Sequence, residues 1–143
     1  MKTILILDDD VGFVLWLGKT LAEAGYQVVP ALHIGEASEL IRSLGLTIDL
    51  LIMNPAARGA DEFIQTLRHQ REGLRLIAPV EDPADASTTF VEVDGVGRRP
   101  PFVNDIQDLI SSASLTAEEA TIQSRSQSEW LTLVRTATEI GRG

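Results

Sequence analysis

Cysteine is absent from this chain, so it can form no disulfide, thiolate nucleophile or cysteine-based metal centre. Lysine is nearly absent too, and none follows Lys19. No apolar run approaches the length of a membrane span. The N-terminal run Thr3–Leu7 follows a single basic residue, stops at three aspartates, and is too short for a signal peptide. A cytoplasmic protein is therefore expected. Positive charge is also scarce: 12 basic residues face 21 acidic ones, for a net charge of −9. Most of the excess lies in residues 1–110, where 17 acids meet nine bases. Such a surface repels phosphate backbones and anionic lipid, so neither nucleic acid nor membrane is an expected partner.

What is present suits a folded globular domain. Of the 143 residues, 44% are apolar and 23% charged, enough for one domain around one continuous core. Thr3–Leu7 is an unbroken aliphatic run that reads as a buried central strand. Val11, Val14, Leu15, Leu21 and Ala22 then recur at helical spacing up to Gly25, predicting a helix over 11–24. Tyr26–Val29 predicts a second strand, 35–44 a second helix ended by Gly45, and Ile48–Met53 a third strand. A third helix is expected over 61–69, with Phe63, Ile64 and Leu67 inward. The fourth strand is expected over Leu74–Val80, interrupted by Pro79 near its end. Strands alternating with helices over short connections imply a parallel sheet covered on both faces.

The second half is less regular. Asp82-Pro83 could open a helical turn or two, Thr88–Val93 reads as a fifth strand, and Gly95 to Pro101 reads as a breaker-rich loop. Asn104 could cap a helix over 105–113. Thr116 with Glu119 resembles a capping box for a last helix reaching about Ile140. Its second half carries an apolar stripe of Trp130, Leu133, Val134, Ala137 and Ile140. That stripe either packs on its own domain or extends to pair with a second copy or another protein.

In an open parallel sheet, ligands bind beyond the carboxyl ends of the strands. Asp8, Asp9 and Asp10 stand at that edge of the first strand. Clustered carboxylates suit a hard divalent cation; equally, they make a solvated loop in which Asp9 or Asp10 caps the first helix. Arg98-Arg99 reads as a solvated turn or as a contact for an acidic partner. His33 and His69 lack metal-ligand spacing and read as a loop residue and a solvated helix residue.

Three segments carry a family resemblance: Ile4-Leu5-Ile6-Leu7-Asp8-Asp9-Asp10, then Leu21 to Val29, then Ile48-Asp49-Leu50-Leu51-Ile52-Met53. Together they resemble the CheY-like receiver domain of two-component response regulators, over about residues 2–113. The resemblance implies a three-layer α/β/α sandwich with a five-stranded parallel sheet of flavodoxin-like order. It makes residues 1–113 a receiver-like domain and 114–143 a C-terminal helical extension. In that family an acidic pair matching Asp8 and Asp9 helps to hold Mg²⁺.

Three positions depart from the family pattern. The phosphoacceptor aspartate is matched by Asn54, whose neutral amide cannot attack a phosphoryl group. The switch hydroxyl is matched by Val80. The lysine that precedes a proline and an aromatic residue is matched by Pro100, in Pro100-Pro101-Phe102, where a cis peptide bond is a candidate. The resemblance therefore implies a phosphorylation-independent pseudo-receiver and no enzyme, requiring no cofactor and offering Mg²⁺ a weak site at most. It would meet a protein partner such as a histidine kinase or another regulator, or form a homodimer, through Arg98, Arg99, Trp130, Leu133 and Val134.

Two alternatives stay open. One is a degenerate receiver whose acidic pocket, Asp8, Asp9 and Asn54, binds a metal or small regulatory ligand. The other is a haloacid-dehalogenase-like phosphohydrolase, which Asp8-x-Asp10 resembles. That family also has a later lysine, which this chain lacks.

Overall fold

The computed structural model describes residues 2–80, 93–99 and 117–140, with side chains of the last segment from 124 to 139. Its elements run β1 (Thr3–Leu7), α1 (Val11–Glu23), β2 (Gln27–Ala31), α2 (Ile34–Leu44), β3 (Leu50–Met53), α3 (Ala60–Gln70), β4 (Arg75–Val80), β5 (Gly95–Arg98) and α4 (Ala117–Ile140). The five strands form one parallel sheet in the order β2-β1-β3-β4-β5. This is the expected flavodoxin-like order.

Alternation along the strands divides the core in two. Ile4, Ile6, Leu50, Ile52 and Ile77 point to one face and pack with Phe13, Leu17 and Leu21 of α1 and Trp130, Val134 and Ala137 of α4. Leu5, Leu7, Leu51, Met53 and Leu76 point to the other and meet Ala37 of α2 and Phe63, Ile64 and Leu67 of α3. Every residue of β1 and β3 is buried, as the unbroken aliphatic runs require of strands covered on both faces. Pro30 lies on β2, an edge strand, where its missing N–H is tolerated.

Helix ends follow local chemistry. Asp10 caps α1, its carboxylate accepting from the Phe13 N–H at 3.2 Å. His33 caps α2 by accepting the Glu36 N–H at Nδ1, and the Glu36 carboxylate returns to the Leu32 N–H. Gly45 ends α2 in the left-handed region at φ +61°.

Three expectations need correction. β4 runs through Pro79 without interruption, because β3 ends at Met53 and, among the described residues, Pro79 is paired only with Gly97 of β5. Val93 is not in a strand; the fifth strand is Gly95–Arg98, within the segment that reads as a loop. The glycines there answer a packing demand. A Cβ at Gly97 would lie 2.8 Å from Cε2 of Trp130 and closer still to two other ring carbons, and one at Gly95 would lie 2.9 Å from Cδ1 of Leu133. The third correction concerns the partner surface, because of the two readings of the α4 stripe the structure has the first, packing on its own sheet: Trp130 is 1% exposed, Val134 0%, and Leu133 is half-buried. Trp130 and Val134 therefore offer no surface to a partner. The helix expected over 105–113, the turn at Asp82-Pro83 and the Pro100-Pro101 bond lie outside the described residues.

Candidate functional site

At the carboxyl ends of the strands, the loops after β1 and β3 and the end of β5 converge on a cleft of about 400 Å³. Asp8, Asp9, His33, Asn54, Arg58 and Arg99 supply its polar lining. Asp8 extends the ladder of β1, its N–H donating to Ala31 O at 3.1 Å, so its side chain is fixed at the sheet edge. That side chain is 2% exposed. Asp9 turns outward into solvent, and Asp10 is spent on capping α1.

A buried carboxylate needs a compensating charge. Here Arg99 provides it. Its Nη1 donates to Asp8 Oδ1 at 2.9 Å and its Nη2 donates to Asp8 Oδ2, a bidentate pair. The Asp10 N–H also donates to Asp8 Oδ1, at 2.9 Å, and Asp10 Oδ2 stands 3.9 Å from Nη1 of Arg99. The guanidinium lies over the Phe13 ring, 5.0 Å from its centroid. Burial pushes the Asp8 carboxyl above its ordinary value of 3.8, opposed chiefly by the bond from Arg99.

The two arginines at the end of β5 part company, as successive strand residues must. Arg99 points into the cleft, and its N–H donates to Val80 O at 2.9 Å. Arg98 is exposed beside a second groove of about 540 Å³, lined also by Arg125, Glu129 and Leu133. Its carbonyl accepts the Trp130 indole N–H at 2.8 Å. Of the reading of Arg98-Arg99 as a solvated turn, only the solvation of Arg98 holds: that residue ends a strand, and Arg99 is turned into the cleft.

Asn54 sits exposed at the end of β3. Its amide oxygen accepts the Ala56 N–H at 2.9 Å, and its carbonyl accepts from Ala57, which closes a tight turn on itself. Val80 is half-buried and brings a carbonyl but no hydroxyl to the site. Pro100 lies outside the described residues. The cation expected to be missing there comes instead from Arg99, one residue earlier. Arg99-Pro100 is itself a cation followed by proline, and that was the available signal.

The Mg²⁺ that the receiver resemblance implies does not fit these donors as they stand. Both Asp8 oxygens are taken by Arg99, Asp10 serves α1, and Asn54 is neutral and engaged in its own turn. Among the described residues no group of three carboxylates or imidazoles is arranged to hold a metal ion.

No protein-family model matches the sequence, and no curated protein does. Solved structures do resemble it. The N-terminal domain of a response regulator/sensory box/GGDEF protein from Carboxydothermus hydrogenoformans is 20% identical, with 97% of this chain and 95% of that one aligned at a TM-score of 0.59. The chemotaxis response regulator CheY4 of Vibrio cholerae is 20% identical over 79% and 96%, with a TM-score of 0.58. The response regulator TrrA of Thermotoga maritima, solved with Mg²⁺-BeF, is 20% identical over 78% and 98%, with a TM-score of 0.55. Strand order, helix layers and these neighbours agree that the chain has the CheY-like receiver fold of response regulators.

Proposed function

We propose that this chain is a phosphorylation-independent receiver, a pseudo-receiver that works in signal transduction through contacts with a protein partner. The observation that carries the reading is Asn54. It stands where β3 delivers a side chain to the cleft, and a carboxamide turned into its own loop is no nucleophile for phosphorus. Val80 adds no hydroxyl to answer a phosphoryl oxygen. Hydrolysis through Asp8 is disfavoured as well, since a nucleophile must present a free oxygen and both of its oxygens are held by Arg99.

A histidine kinase or another regulator is the class of partner a receiver fold serves. Arg98 and Arg125, flanking the groove beside β5 and α4, are the cations an acidic partner would meet. Among the described residues no helix is long and apolar enough to cross a membrane.

The test is intact-protein mass after incubation with acetyl phosphate and Mg²⁺, beside Asn54→Asp. The wild type is expected to stay unmodified. A labile phosphoryl adduct on it, about 80 Da, would end the pseudo-receiver reading. Labelling of Asn54→Asp alone would assign the loss to that one side chain.

A further inference from the structure

A pocket built around a buried carboxylate has two ways to be neutral: it can bind a cation from solution or carry one of its own. We infer that Arg99 is the resident cation of this site, a tethered guanidinium that keeps a divalent metal ion out. The inference goes beyond the signalling reading, because it holds whichever partner the domain meets.

Three features fix Arg99 in place. Its backbone N–H is bonded to Val80 O at 2.9 Å, its guanidinium rests on Phe13, and its planar fork meets both oxygens of Asp8. The preceding residue is anchored too, through the bond from Trp130 to Arg98 O. Trp130 and Phe13 are themselves in contact, ring centroids 5.6 Å apart, so one aromatic block supports the whole arm. A planar fork held this way loses little freedom on pairing with a carboxylate.

A metal ion arriving at Asp8 would have to expel this group. Two charge-assisted hydrogen bonds and a cation–π contact would be lost, and a guanidinium side chain only 19% exposed would be left without its carboxylate. The remaining donors give little in return: Asp9 is the one acid of the three not engaged among the described residues. Remove the guanidinium, and Asp8, Asp9 and Asp10 become an acidic cluster with no cation paired to it; Arg58 lines the same cleft but forms no ion pair with these carboxylates among the described residues. Electrostatics alone then favours a divalent ion.

Mn²⁺ titration of the folded full chain tests this, read by the free-ion resonance signal and by paramagnetic broadening of the Asp8, Asp9 and Asp10 amides. The wild type should show no saturable binding. Arg99→Ala and the closer isostere Arg99→Gln should bind at least about tenfold more tightly, and adding Asp8→Asn should abolish the gain. Saturable broadening of these amides in the wild type overturns the inference without any variant, so its test survives even if Arg99→Ala fails to fold. A folded Arg99→Gln that binds Mn²⁺ no better than the wild type overturns it as well.

Discussion

Trp130 and Gly97 occupy a single volume: the indole of α4 fills the space that any side chain at position 97 of β5 would need. The same ring closes the contact by donating its N–H to the next carbonyl, that of Arg98.

Gly97→Ala should therefore destabilise the fold by about 1–3 kcal/mol, the usual cost of overpacking a filled core. Trp130→Ala should cost about 3–5 kcal/mol as a cavity. Urea denaturation measures both. Because the two residues contend for one space, the double variant should lose less than the two single losses added together. Strict additivity would show that the indole yields to a methyl group without strain.

The two tryptophans should respond differently to phenylalanine. Trp130 gives its N–H to Arg98 O, whereas the buried Nε1 of Trp16 has no hydrogen-bond partner among the described residues. Trp130→Phe gives up a bond and orphans a carbonyl, so it should cost about 1 kcal/mol more than Trp16→Phe. Equal losses in thermal or urea unfolding would contradict this.

Asp8 should titrate above 3.8 in the folded protein, as followed by the chemical shift of its carboxyl carbon. Its folded value exceeds its unfolded one, so the native state holds this proton more tightly. The stability gained in this way is complete below about pH 3.8 and disappears as pH rises through the folded value. Arg99→Ala removes a contribution that lowers the value and should push it higher still. A fall on removing Arg99 would contradict the ion pair.

Asp10→Ala should cost about 1 kcal/mol through loss of the α1 cap, and Asp10→Ser should recover most of it. Comparable destabilisation by both, in urea, would mean that Asp10 acts through its charge near Arg99 rather than through Phe13 N–H.

The first half of this molecule was legible because its signals are local. Ile4–Leu7 and Leu50–Met53 are aliphatic without interruption, and α1 to α3 show their inward faces at helical spacing. The acidic edge at Asp8 and the neutral Asn54 could be placed from those strands. β5 was missed because Gly95 and Gly97 have poor strand propensity; their reason for being there is an indole 33 residues after Gly97, which no local window contains. Arg99 was misread for the same kind of reason. Its partner is 91 residues away, and until β1 and β5 end at the same edge of one sheet nothing separates it from the solvated Arg98.

Pro30 bears on how molecules of this protein behave when crowded. Gln27 N–H bonds to Lys2 O, and Ala31 O accepts from Asp8 N–H, so residues 27, 29 and 31 turn their peptide groups toward β1. Val28 and Pro30 turn theirs outward, to the open side of the sheet. One of the two N–H groups that an approaching strand would seek there is missing. A foreign strand laid along β2 would find a broken row of donors, which guards this border against the edge-to-edge growth by which exposed sheets aggregate.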